Sequence, residues 1–143
     1  MTTPTIQFHL IKAISLRDRT RLKAFLRLLF QKEKIKLIEL QYIFCSDDRL
    51  LEINKQFLNH DYYTDIITFN LSGANQPINA EIYISVDRVR ENAREFKTSL
   101  SKELHRVIFH GALHLCGYTD KRERAEKEMR KMEDEYLNLY FKR

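Results

Sequence analysis

The stretch Phe109-His110-Gly111-Ala112-Leu113-His114-Leu115-Cys116-Gly117-Tyr118-Thr119-Asp120 decides how this chain is read. The pattern predicts a helix over residues 99–116, with Thr98, Ser99 and Ser101 as candidate N-caps and Gly117 in the position that ends it. Leu100, Leu104, Val107, Ile108 and Leu115 form an apolar stripe, and Gly111 and Ala112 keep its middle small. His110 and His114 stand four residues apart, so they project from one face a turn apart. Asp120 follows three residues after the terminating glycine. Two imidazoles and a carboxylate converging on one point, with a fourth position left for water, outline a catalytic zinc site. With 5 histidines in 143 residues, random placement yields roughly 0.17 such His pairs per chain, so the pair is weak alone and its helical context carries the reading. On spacing and context alone, two partly exposed histidines satisfied by water or carbonyls remain an equal alternative.

Outward from that helix, hydrophobic periodicity orders the rest. Residues 5–10 and 37–44 alternate as strands, and residues 15–32 repeat as a helix with Leu22, Phe25, Leu26, Leu29 and Phe30 inward. Asp47 or Asp48 is expected to cap a helix running to about Phe57. Residues 66–71 and 80–85 read as strands joined by the turn-forming Gly73-Ala74-Asn75-Gln76-Pro77. After Asp87 the chain reads as three helices, the last with Ala125, Met129, Met132, Tyr136 and Leu139 on its core face. The order β-α-β-α-β-β-α-α-α predicts an α+β fold. It consists of a small mixed β-sheet of about four strands with packed helices, and a metal site at the end of a central helix. Residues 1–143 are expected to form a single domain.

Composition narrows the class. No apolar run is long enough to span a bilayer, and no signal peptide precedes Ile6-Gln7-Phe8-His9-Leu10. Cys45 and Cys116 make no disulfide framework, which favours a reducing, cytoplasmic setting. Cys116 is rotated well away from His114 on the helix and reads as a core residue, not a ligand. The net charge of +5 is uneven: residues 1–36 carry 9 Lys/Arg against 2 acidic residues, and residues 37–87 carry 2 against 8. Arg19, Lys23, Arg27 and Lys34 form either a phosphate-binding stripe or an ordinary solvated helix face. There is no phosphate-cradling glycine loop and no dinucleotide fingerprint.

The block His110-Gly111-x-Leu113-His114-Leu115-x-Gly117-Tyr118 resembles the signature of the YbeY family of bacterial endoribonucleases. Two further blocks are similar to that family in order and spacing. They are Leu51-x-x-Asn54 with Asp61-x-x-Thr64-Asp65-Ile66-Ile67-Thr68-Phe69, and the strand Glu81-Ile82-Tyr83-Ile84-Ser85. The resemblance implies a metal-dependent, single-strand-specific endoribonuclease in small-subunit ribosomal RNA maturation and ribosome quality control. It also implies a cytoplasmic setting, ribosomal particles as partners, and one zinc or similar divalent ion held by His110, His114 and Asp120.

Two positions depart from the family pattern. Its third ligand is usually a histidine where Asp120 stands, after an aspartate where Thr119 stands. A carboxylate is a legitimate zinc ligand, although it makes the ion a weaker Lewis acid. The alternative is a loop that has lost its third ligand. An arginine is common where this chain has Leu58, and Lys55, Arg88, Arg90 and Lys121 are candidate replacement cations. The proton acceptor is unassigned, with Asp65 and Glu81 as candidates and Glu103 more distant; His9, His60 and His105 read as structural or surface residues. Two rival classes stand beside the nuclease. One is a zinc-dependent peptidase or amidase, which the glycine after His110 disfavours by removing the usual general base. The other is a catalytically weakened ribosome-binding protein.

Overall fold

The computed structural model describes residues 3–60 and 63–142, so Asp61 of the second block lies outside the described residues. Four strands, β1 (Thr5–Leu10), β2 (Leu37–Cys45), β3 (Ile66–Asn70) and β4 (Ile78–Ser85), form one sheet in the order β1-β2-β4-β3. β1 pairs parallel to β2 and β2 parallel to β4, while β3 runs antiparallel to β4. Parallel neighbours require crossovers, and helices α1 (Arg19–Lys32) and α2 (Asp47–Leu58) lie in them. Helices α3 (Val86–Glu95), α4 (Leu100–Leu115) and α5 (Glu123–Phe141) complete the chain. The α+β class, the mixed four-stranded sheet and the element order match the sequence reading.

Boundaries moved where side chains found better partners. The first helix begins at Arg19, not near residue 15, because Ile14 and Leu16 are buried by an extended segment that ends at Asp18 in the left-handed region (φ 53°). Ser46, rather than an aspartate, caps α2 by accepting from the Arg49 N–H at 3.1 Å. Asp47 instead accepts from Ser85 Oγ at 3.2 Å and from Arg88 Nε at 3.1 Å. The buried face of α5 carries Met129, Glu133, Tyr136, Leu137 and Tyr140, so it is turned away from the expected Leu139.

α4 is the central helix. Ser99 caps it, accepting from the Lys102 N–H at 3.0 Å. Leu104, Val107, Ile108, Phe109, Ala112 and Leu113 are buried along it. Gly111 lets the helix settle on the sheet: a Cβ there would lie 2.9 Å from Ile82 Cδ1, 3.0 Å from Ile66 Cδ1 and 3.1 Å from Ile82 Cγ2. At the far end, Gly117 takes φ +106°, its N–H donates to the His114 carbonyl, and the Tyr118 N–H donates to the Leu113 carbonyl. This pair of bonds is a Schellman turn, which satisfies the last carbonyls and reverses the chain toward α5. Tyr118 and Tyr136 both donate to the Glu33 carboxylate at the end of α1, fixing that reversal to the rest of the core.

Gly111→Ala tests the close approach. Overpacking costs about 1–3 kcal/mol, against a gain of about 1 kcal/mol in helix propensity. We expect a net loss of stability on urea unfolding; an alanine variant more stable than wild type contradicts the packing argument. His105 supplies a second test. It is 4% exposed, stacked on Tyr140 and bonded through Nδ1 to the Ser101 carbonyl at 2.6 Å. Its Nε2 has no hydrogen-bond partner among the described residues. Burial, aided by the Arg21 charge and opposed by the Ser101 bond, lowers its pKa below the ordinary value. A histidine whose folded pKa is depressed binds fewer protons than the unfolded chain, so its contribution to stability falls as pH drops below about 6.5. Unfolding free energies at pH 7.5 and 5.5 should differ more in wild type than in His105→Phe, and equal differences would refute this assignment.

Candidate active site

A cleft of about 600 Å³ opens between α4, α5, α3 and the segment leading into β3. His110, His114 and Asp120 all line it, together with Asp65, His60, Asn54 and Leu58. The central helix delivers the two imidazoles because its apolar residues and Gly111 face the sheet and the core, leaving positions 110 and 114 toward the opening. The Schellman turn then carries Asp120 back to the same cleft.

His110 is the best-fixed of the three. Its Nδ1 lies 2.6 Å from Glu133 Oε2, and its side chain is 18% exposed while that of Glu133 is 2% exposed. Glu133 Oε1 accepts from Arg106 Nη1 at 3.0 Å, and Arg106 also grips Glu103 through Nη2 at 2.6 Å and Nε at 2.9 Å. Burial alone would push the Glu133 carboxyl up. The His110 hydrogen bond and the Arg106 charge outweigh it and hold the group below the usual carboxylate range. An ionised carboxylate only accepts, so Nδ1 of His110 carries a proton, and in the neutral ring Nε2 is the nitrogen left to bind a ligand.

That nitrogen points to the right neighbourhood. His110 Nε2 lies 3.6 Å from Asp120 Oδ2, too far for a hydrogen bond. Zinc bonds to nitrogen and oxygen run about 2.0–2.2 Å, so both atoms can reach one ion between them. The donor chemistry therefore fits a divalent metal. His114 shares the cleft but is not drawn onto the same point: among the described residues, no three His, Cys, Asp or Glu side chains are already gathered as a metal-holding group.

Other expected residues separate. Asp65 lines the cleft. Glu81 does not: its β4 neighbours Ala80 and Ile82 are buried in the core beneath α4, so strand alternation puts Glu81 on the other sheet face, where it accepts from Tyr83 Oη at 3.1 Å. Glu103 is 2% exposed and bound to Arg106, which removes it as a proton acceptor. His60, read from sequence as structural or surface, forms part of the cleft wall. Arg27 and Lys34 of the basic stripe line a separate hollow beside Pro77. Cys116 is half-buried, and burial followed by the nearby Glu33 charge pushes its thiol up to about 12, consistent with an inert role. Glu133 is the residue that sequence reading missed. Its one signal was a carboxylate spaced four, three and four residues from Met129, Tyr136 and Leu137 on an otherwise apolar helix face.

A sequence profile of the family described as Endoribonuclease YbeY matches residues 8–140, nearly the whole chain. The chain belongs to the YbeY family. It is 48% identical over 124 residues to the Endoribonuclease YbeY of Cytophaga hutchinsonii, covering 87% of each chain. With that of Flavobacterium psychrophilum it shares 54% identity over 102 residues, covering 71% of this chain and 72% of the other. The fold is also similar to the solution structure of TM1509 from Thermotoga maritima, with a TM-score of 0.62 and 30% identity over 97% of this chain and 89% of that one. Within this YbeY cleft, the position where the sequence pattern leads one to expect an arginine is lined by Leu58.

Replacing Glu133 with glutamine keeps its shape but exchanges an ionised acceptor for an amide. Loss of a carboxylate behind a metal-binding histidine weakens affinity about 10–100-fold. Titration of metal-free Glu133→Gln with zinc should show that loss with an unchanged far-ultraviolet circular dichroism spectrum. Wild-type zinc affinity in this variant would remove Glu133 from the site.

Proposed function

We propose that this protein is a metal-dependent, single-strand-specific endoribonuclease acting in small-subunit ribosomal RNA maturation and ribosome quality control, in the cytoplasm and on ribosomal particles. The observation that carries the metal-dependent chemistry is the His110 imidazole, held by ionised Glu133 with Nε2 turned toward Asp120. His110, His114 and Asp120 would hold the ion. When bound, a zinc or similar divalent ion supplies a Lewis acid for a phosphoryl oxygen and lowers the pKa of a coordinated water.

The chain's own residues do the rest. Glu133 selects, for the neutral His110 ring, the tautomer with its proton on Nδ1, and the His110 hydrogen bond together with Arg106 keeps Glu133 ionised. Asp65, in the cleft and half-buried, would serve as the proton acceptor. Phe96 lines the same cleft and is 56% exposed, which offers a stacking surface to an unpaired base. A base inside a duplex cannot reach such a ring, and this supports a single-stranded substrate.

The peptidase alternative loses support from packing. Zinc peptidases with the His-Glu-x-x-His pattern put a general base directly after the first histidine. Here that position is Gly111, where even a Cβ would crowd Ile82 and Ile66 at 2.9–3.1 Å. No helix among the described residues is long and apolar enough to cross a membrane.

Cleavage of single-stranded RNA by wild type and His114→Ala, purified side by side with and without chelator, tests the proposal. We expect activity in metal-replete wild type and its loss in both the variant and the chelated sample. Equal cutting by both proteins identifies a contaminant. Metal bound to wild type without any cleavage would favour the weakened ribosome-binding reading.

A further inference from the structure

The cleft must receive a polyanion, yet Asp65, Asp120, Glu126 and Glu133 line it. Two guanidiniums share those walls, Arg106 and Arg130. They differ in what they have left to give. Arg106 is 17% exposed and spends Nε and Nη2 on Glu103 and Nη1 on Glu133. Its charge is already matched by two buried carboxylates.

Arg130 is 59% exposed and sits three residues before Glu133 on α5. Its Nε lies 3.8 Å from Glu133 Oε1, beyond hydrogen-bond range, and that oxygen already accepts from Arg106. The guanidinium therefore keeps its donors for a ligand while remaining beside the carboxylate that holds His110. The four cations suggested by sequence lie elsewhere. Lys55, Arg88, Arg90 and Lys121 are not among the cleft-lining residues. Arg88 is paired with Asp47, and Arg90 donates to the Ala13 carbonyl.

Building on the endoribonuclease reading, we propose that Arg130 binds a backbone phosphate of the RNA substrate next to His110. It thereby supplies the cleft with the cation that Leu58 cannot. Arginine suits the task because its planar fork meets two phosphate oxygens at once and stays charged at any working pH. Placement on α5, one turn from Glu133, ties the phosphate register to the same helix that orients the imidazole.

The test is steady-state cleavage of a labelled single-stranded oligoribonucleotide by metal-replete wild type, Arg130→Gln and Arg130→Lys over a range of salt. We expect Arg130→Gln to raise KM about tenfold, the scale of one charge-assisted hydrogen bond. The slope of log KM against log salt should fall by about 0.7, the value for one phosphate contact on a single strand. Arg130→Lys should restore the slope but only part of the KM. Zinc content and the urea midpoint should stay at wild-type values in both variants. Unchanged KM and slope in Arg130→Gln overturn the assignment. Loss of zinc alongside activity also overturns it, because Arg130 would then support Glu133 instead of touching RNA. A wild type that cuts no RNA overturns the endoribonuclease reading itself, and this inference with it.

Discussion

Glu133 is a carboxylate kept almost wholly out of water, and α4 and α5 are arranged around its needs. A buried charge is costly unless it is paired and hydrogen-bonded. Arg106 meets it at 3.0 Å while also serving Glu103, and Arg130 Nε stands 3.8 Å from the same Glu133 oxygen. The remaining acceptor, Oε2, is satisfied by His110 at 2.6 Å. The consequence is electrostatic as well as geometric. An ionised carboxylate stands directly behind the imidazole, and its field favours a cation in front of the ring.

A second constraint is steric. The helix bearing both histidines sits so close to the sheet that Gly111 has Ile82 and Ile66 carbons within about a bond length of ordinary contact distance. This fixes which face of α4 is buried, and with it the direction of positions 110 and 114. It also keeps the residue after His110 against the sheet and out of the cleft.

Much of this was readable in the chain. The element order, the strand β1, an N-cap for α4 among Thr98, Ser99 and Ser101, and the glycine that ends α4 all follow from local rules that tertiary structure did not override. His110, His114, Asp120 and Asp65 were legible because their residue types carry chemistry at a helical or family spacing. What escaped was non-local. Glu133 has meaning only once α5 packs on α4, 23 residues away in sequence from the histidine it holds. His60 reaches the cleft through a left-handed turn at Asn59, which periodicity does not forecast. Glu81 failed as a candidate for a plain reason: strand alternation placed it on the opposite face from the helix, and only the sheet's packing says which face that is.

The Glu33 carboxylate, gripped by Tyr118 and Tyr136, ties down the polypeptide just before the last metal-competent side chain. From that anchor to Asp120 there are two residues, a leash of about 7 Å at full extension. Two of the three candidate ligands thus stand on one helix, and the third stands on a short tether, its side chain 51% exposed. Such an arrangement builds the pocket from one helical wall and one short, anchored loop. The anchor therefore bounds how far the Asp120 carboxylate can stand from the helix that carries His110 and His114.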